Sequence, residues 1–356
     1  MIANLQALRG LAAITVLLYH LQPMLNRRFG TDLRSDIGAI GVDIFFVLSG
    51  IVMVFVYGQK ERSAWQFYSE RVIRIVPLYW IATLSIIALF GLGFRPNGLQ
   101  GYDLGDVGTS FFFYPHVRLD GEQGPILSLG WTLIYEMFFY LVFGALLWMP
   151  SIRDRVVVLS TFFAFVVAVG WLLGSERPYA LRVYTNPIVL EFVAGCWIGY
   201  WYLSKPKARG IPVAAMFLAA GLAMLLIVYY FQVSPGDYRV LTYGIPAVLI
   251  VIGALLAELS GATTRNTIVL LVGAASYSIY LFHPLLLQPS VNVAAKVLNP
   301  TSTMGYLIMP FAGLTAVSVA AGIHLGLEAP LTRWLRNVRG QERARALPKI
   351  STSISR

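Results

Sequence analysis

Charge is what this sequence lacks most. Of its 356 residues only 12% are Asp, Glu, Lys or Arg, about half the quarter found in soluble globular chains. With 57% hydrophobic residues, that scarcity excludes disorder, a coiled coil, a disulfide-rich secreted domain and an ordinary cytosolic enzyme. It points to a chain whose solvent is mostly lipid. Cysteine is nearly absent as well. Cys196 stands alone, which excludes an internal disulfide and a cysteine metal cluster. No phosphate-binding glycine loop, zinc motif or dinucleotide fingerprint occurs, so neither a metal nor redox chemistry is expected. Acidic residues are outnumbered 17 to 27, for a net charge of +10. In a soluble protein that balance would suggest nucleic acid. Here basic cytoplasmic loops explain it, and no nucleic-acid partner is expected.

Long apolar runs are what the sequence has. A bilayer core needs roughly 20 apolar residues per helix. Ten segments meet that need: 3–25, 37–57, 76–94, 127–149, 156–174, 187–204, 211–233, 240–259, 267–288 and 304–326. The fold expected is an all-α polytopic bundle of about ten transmembrane helices. It forms a transmembrane domain over 1–326, followed by a basic cytoplasmic tail over 327–356. The first run is too long for a signal peptide and no small-residue cleavage site follows it. The stretch 107–116 is too short to span and reads as interfacial or re-entrant. With the N-terminus inside, inner segments and tail hold 18 of the 27 basic residues. They include Arg9, Lys60, Arg62, Arg71, Arg74, Arg155, Lys205, Arg336, Arg339, Arg343, Arg345, Lys349 and Arg356, which predicts both termini in the cytoplasm. The tail should be a short amphipathic piece followed by disorder, its charge drawn to lipid headgroups. Gly170/Gly174, Gly195/Gly199 and Gly322/Gly326 have the spacing of close helix packing within one chain.

Ionisable groups inside a membrane are costly and mark candidate functional positions. His20, Asp43, Glu136, Glu191 and His283 all fall in predicted spans, within roughly 6–14 Å of the outer ends of their helices. Their common depth predicts a polar cavity opening outward. At the inner face, Arg9 precedes His20 by almost three turns on one side of the first helix, about 16 Å away along the axis. Arg71 and Arg74 are three apart and point the same way if helical, with Pro77 in the first turn of the third span. Clustered arginines suit phosphate groups through paired hydrogen bonds.

These charges ask for a substrate that is anionic at one end and reactive some 16 Å away. Acyl-coenzyme A fits, with its phosphates on arginine and its thioester carried to His20. A proton-coupled transporter or glycan flippase using His20, Asp43 and Glu136 as a relay fits the same spacing, as does a ligase of lipid-linked glycans.

Five motifs narrow the choice: Leu-Gln-Ala-Leu-Arg-Gly-Leu-Ala-Ala (5–13) leading to Tyr19-His20, Gly-Val-Asp-Ile-Phe-Phe-Val-Leu-Ser-Gly (41–50), Arg71-Val-Ile-Arg74-Ile-Val-Pro-Leu-Tyr-Trp, Gly130-Trp-Thr-Leu-Ile-Tyr-Glu136-Met-Phe-Phe-Tyr140, and Ser276-Tyr-Ser-Ile-Tyr-Leu-Phe-His283-Pro. In this order they resemble the acyltransferase-3 family of integral-membrane acyltransferases, over about residues 3–335. The wording around Glu136 is similar to the exopolysaccharide O-acetyltransferase branch; other branches more often have Ser at Thr132 and a second acidic residue near Glu136. The extra hydrolase-like domain of some members is not seen. The resemblance implies that Arg9 and His20 are the family's Arg–His pair and that Arg71 and Arg74 are its paired arginines. It further implies an acyl group, often acetyl, moved from a cytoplasmic thioester to a sugar at the far membrane face.

Each candidate also has a plain structural reading. His20 is a general base or a packed histidine bonded to a helix carbonyl. Asp43 steadies His20 as the third member of a triad would, or braces the second helix. Glu136 positions the acceptor or bonds a neighbouring helix. Glu191, His283, Trp131 and Tyr135 are candidates for acceptor binding, His283 beside Pro284 being as readily structural. His116 and His324 read as structural, and the runs Phe111–Tyr114 and Tyr229–Phe231 as interfacial anchors. The expected protein is a multi-pass O-acetyltransferase of a bacterial inner membrane. Acetyl-coenzyme A would be its donor and an exopolysaccharide or lipid-linked sugar its acceptor, with His20, Asp43 and Glu136 catalytic and Arg9, Arg71 and Arg74 on the coenzyme.

Overall fold

The computed structural model describes residues 2–34, 36–58, 63–204, 206–233, 236–298 and 300–346. Lys60, Arg62, Lys205, Lys349 and Arg356, and the side chains of Arg343 and Arg345, lie outside the described residues. In chain order the helices are α1 (Ala3–Phe29), α2 (Ile40–Tyr57), α3 (Ala64–Gly91), α4 (Leu104–Phe111), α5 (Gly130–Ala145), α6 (Ile152–Leu173) and α7 (Tyr179–Tyr184). They continue as α8 (Val189–Leu203), α9 (Ile211–Tyr230), α10 (Ile245–Leu259), α11 (Thr267–Ala274), α12 (Ser276–Val297), α13 (Ser302–Ile323) and α14 (Ala329–Ala346). Each of the ten predicted runs falls on helix. Among the described residues seven helices are long and apolar enough to cross a membrane, eight if the bent pair α11–α12 counts as one span. α5 and α8, of 16 and 15 residues, are shorter than the predicted spans, because each is preceded by an irregular stretch.

Lipid-facing surface is apolar, as the composition requires. Met216, Leu222, Leu226 and Ile227 of α9 and Phe311 and Leu314 of α13 are exposed. The interior instead closes on aromatic packing. Phe192 of α8 stacks on Phe46 of α2 at 4.4 Å and on Phe139 of α5 at 4.6 Å. The α2–α8 seam is a close crossing. A Cβ added to Gly195 would lie 2.0 Å from the carbonyl oxygen of Val47, so only glycine lets the backbones meet there. This is the intrachain packing expected of Gly195, whereas Gly322 and Gly326 face nothing within 4 Å. Gly273 meets α1 the same way, at Gln6, just before the 72° break between α11 and α12.

Two expectations need correction. α3 begins at Ala64, capped by Ser63, twelve residues before the predicted start. Pro77 is therefore inside the helix, where polar Gln66, Glu70 and Arg71 had hidden the continuing helical run. The predicted span 267–288 is a kinked pair rather than one rod. Beyond α13 a π-helical turn (His324–Glu328) leads straight into α14, in the place of the amphipathic piece expected at the start of the tail, and residues 347–356 lie outside the described residues. The stretch 107–116 overlaps α4, a short helix with a capping box formed by Asp103 and Asp106.

The N-terminus of α1 is fixed in place, which positions Arg9. Glu258 of α10 accepts hydrogen bonds from the backbone N–H groups of Ala3 and Asn4, at 3.0 and 2.6 Å. The Asn4 side chain donates to the carbonyls of Ala254 and Ala262. A carboxylate at a helix N-terminus answers both the free N–H groups and the dipole.

Candidate functional site

A cavity of about 750 Å³ enters the bundle between α1, α2, α3, α5, α12 and α14. Arg9, Arg71, Arg74 and Glu136 line it together, so residues far apart in sequence share one wall. Arg336 and Arg339 of α14 line it as well, although as tail residues they were assigned to lipid. On α2 its lining runs from Val56 to Val42, about 21 Å of helix. Val56, Glu70, Arg336 and Arg339 mark the basic end, and Val42, Phe45, Thr132 and Tyr280 the far end.

Arg71 is buried at 8% exposure. Its guanidinium lies 5.7 and 5.8 Å from the rings of Tyr57 and Tyr140 and donates to the Tyr57 hydroxyl at 3.4 Å. Tyr57 in turn donates to Glu70 at 2.5 Å. Among the described residues neither Arg9 nor Arg74 is hydrogen-bonded or ion-paired to a carboxylate. Two guanidinium groups in one recess without a directly bonded carboxylate are an arrangement that suits an anionic group. Glu136 accepts hydrogen bonds from Ser49 at 2.8 Å and from Tyr140, facing the same cavity.

His20 and His283 lie past the far end, behind Phe45 and Tyr280, whose rings meet edge to face at 5.9 Å. Their ring centroids are 5.0 Å apart. Each Nδ1 is bonded to the carbonyl four residues earlier, at Val16 (2.9 Å) and Ile279 (3.1 Å). A carbonyl only accepts, so both Nδ1 atoms carry protons and in the neutral rings both Nε2 atoms present lone pairs. The His283 Nε2 is buried with no hydrogen-bond partner.

The expectation that five ionisable groups share one outward cavity is not met. Asp43 does not serve His20: Arg239, just before α10, binds both its oxygens at 3.1 and 2.7 Å. Glu191 sits beside Asp43, its carboxyl oxygens buried. Trp131 and Tyr243 cover Arg239, their ring centres 5.8 and 5.4 Å from its guanidinium. Tyr135 packs edge-on against Trp131 at 5.9 Å. Equal depth on different helices says nothing about azimuth, and azimuth sends these groups to three places. His20, Asp43 and Glu136 form no continuous hydrogen-bonded relay among the described residues. Arg239 was missed because a lone arginine beside an apolar run reads as a loop charge. Arg155, counted as one, is buried and donates to the carbonyls of Tyr57 and Met149. The i,i+4 pair His324 and Glu328, 2.8 Å apart, was visible in the spacing. Glu328 also accepts from Ser278 at 2.7 Å.

Comparison with known proteins matches residues 2–324 to the acyltransferase domain of the acyltransferase-3 family. The chain belongs to that family, and it is a multi-pass membrane O-acyltransferase. It is 36% identical over 304 residues to the exopolysaccharide production protein ExoZ of Rhizobium meliloti (strain 1021), covering 85% of this chain and 92% of that protein. It is 26% identical to the peptidoglycan O-acetyltransferase OatA of Listeria monocytogenes, covering 84% of this chain and 51% of that protein. The putative membrane-bound transacylase BcsY of Komagataeibacter xylinus is 28% identical, over 83% of this chain and 74% of that protein. No solved structure matches.

Proposed function

We propose that this protein is an exopolysaccharide O-acetyltransferase of a bacterial inner membrane, taking acetyl from cytoplasmic acetyl-coenzyme A. The observation that carries the reading is the arginine-lined cavity, which runs from Arg9, Arg71 and Arg74 toward the His20–His283 pair. The coenzyme's phosphates rest on the three arginines, and its uncharged arm follows the apolar wall past Val52, Ser49 and Phe46. A hydroxyl of an exopolysaccharide or lipid-linked sugar attacks the thioester carbonyl as His20 Nε2 takes the hydroxyl proton. The new C–O ester bond forms, the C–S bond breaks, and the leaving sulfur recovers a proton as coenzyme A thiol. His283 fixes the ring of His20 from behind. Glu136 orients groups in the cavity through Ser49 and Tyr140. Asp43 acts on Arg239, holding it beneath Trp131 as one wall of the acceptor side with Glu191 and Tyr135. Both termini lie in the cytoplasm in this reading. Similarity to ExoZ supports the acceptor class.

Purified protein incubated with radiolabelled acetyl-coenzyme A and deacetylated exopolysaccharide should transfer label to the glycan. Movement of a glycan across vesicles without acyl transfer would instead favour a flippase.

A further inference from the structure

The donor reading leaves two cavity arginines without a task. Arg336 and Arg339 sit three residues apart on one face of α14, a spacing that brings two side chains together. α14 lies against the start of α3, where Arg339 donates to the carbonyl of Gln66 at 3.4 Å. Arg336 has no carboxylate partner among the described residues. Along α3 the lining passes from Glu70 and Arg71, one turn beyond Gln66, to Arg74 and Ile75. Arg336 and Arg339 therefore stand at the mouth, and Arg9, Arg71 and Arg74 stand deeper. Of the two carboxylates on the wall, Glu70 is engaged by Tyr57 and Glu136 by Ser49 and Tyr140. Five guanidinium groups at two levels exceed what one phosphate would satisfy.

Coenzyme A carries its charge at two levels too. A diphosphate joins the uncharged arm to the nucleoside, and a separate phosphomonoester sits on the ribose at the end farthest from the thioester. With the thioester directed at His20, the diphosphate falls among the deep arginines and the phosphomonoester at the mouth. A phosphomonoester holds nearly two negative charges near neutral pH, matching two guanidinium groups. We infer that Arg336 and Arg339 form a phosphomonoester subsite that reads the terminal phosphate of the acyl donor. The inference rests on the donor proposed above. A lipid headgroup phosphate at the membrane surface is the other source of the same chemistry.

Coenzyme A and dephospho-coenzyme A separate these cases. Binding of each is measured to the purified full chain in phosphatidylcholine nanodiscs, with and without phosphatidylglycerol. The native protein should prefer coenzyme A by roughly tenfold or more, the size of a charge-assisted contact. Arg336→Ala with Arg339→Ala should abolish that preference and leave dephospho-coenzyme A affinity within about twofold. Arg9→Ala should weaken both ligands. The paired Lys variant should recover part of the preference, which shows that α14 still folds. Equal weakening of both ligands by the double Ala variant, or an intact preference, overturns the subsite. An intact preference joined to loss of phosphatidylglycerol dependence assigns the arginines to lipid instead. Failure of the native protein to bind either ligand overturns the donor reading and the subsite with it. Tight binding without discrimination overturns the subsite alone.

Discussion

His20 and His283 face each other across 5.0 Å between ring centroids, each with its Nδ1 proton spent on the carbonyl four residues before it. Helix geometry alone fixes both tautomers, so each neutral ring keeps its Nε2 lone pair without help from a carboxylate. That removes the need for Asp43 as an orienting partner.

His20→Ala should lower acyl transfer by roughly 100- to 10,000-fold, the usual contribution of a positioned base. His283→Asn keeps a donor for the Ile279 carbonyl but loses Nε2, and should lower kcat about tenfold while donor KM stays unchanged. Full activity of folded His20→Ala, in a label-transfer assay on detergent-purified protein, would remove the base from this mechanism.

Arg71 stacks on Tyr57 and Tyr140 while bonding the Tyr57 hydroxyl, a combination that an ammonium does not reproduce. Arg71→Lys should raise donor KM about tenfold with kcat nearly unchanged. Steady-state kinetics with the acceptor saturating measure both constants. A fall in kcat alone would place Arg71 at the chemistry instead.

The Asp43–Arg239 pair is buried on the carboxylate side, Asp43 having no exposure. Removing one partner of such a pair costs about 3 kcal/mol or more. Asp43→Asn should lower the melting temperature in detergent clearly. Asp43→Leu combined with Arg239→Met should recover part of the loss, since neither member of the pair is then left behind as a lone charge, although Glu191 loses its neighbouring cation. Strict additivity of the two single changes would show that they are not coupled.

Gly195→Ala drives a methyl against the Val47 carbonyl and should cut folded yield severely, seen as loss of the monodisperse elution peak. Gly322→Ala meets nothing within 4 Å and should be neutral or stabilising by about 1 kcal/mol through helix propensity.

In the loop before α5, Arg118 donates to both oxygens of Asp120, at 3.1 and 3.0 Å. Desolvation pushes the Asp120 carboxyl up, but the hydrogen bonds from Arg118 and nearby backbone outweigh it and hold the group below its ordinary range. A lowered folded value means that the stabilisation is present above the ordinary carboxylate range and lost as pH falls through the lowered one. Protease sensitivity of this loop should stay constant from pH 7 to about pH 5 and rise only in stronger acid. Asp120→Asn should raise it at neutral pH.

Much of the fold was legible because lipid imposes a simple rule: each apolar run long enough to span is helix. Boundaries failed where that rule is silent. Gln66, Glu70 and Arg71 made the start of α3 look like loop, although Glu70 and Arg71 face the cavity. That Arg9, Arg71 and Arg74 form a group at one membrane face was readable from the spacing of 71 and 74, and of 9 and 20, and they do line one cavity. The place of Arg336 and Arg339 was not, since two charges in a basic tail look alike whether they face lipid, water or a cavity.

Scarce charge, read along the chain, determined by itself that this is a membrane bundle. It also showed which few ionisable groups lie within it, because burying charge in hydrocarbon is too costly to be casual. Only the tertiary structure decided which of those groups meet. Depth is written in sequence at 1.5 Å per residue, but the rotation of each helix about its axis is set by packing at seams such as Gly195 on Val47. That rotation gave Asp43 to Arg239, brought His20 to His283, and left Glu136 with the arginines.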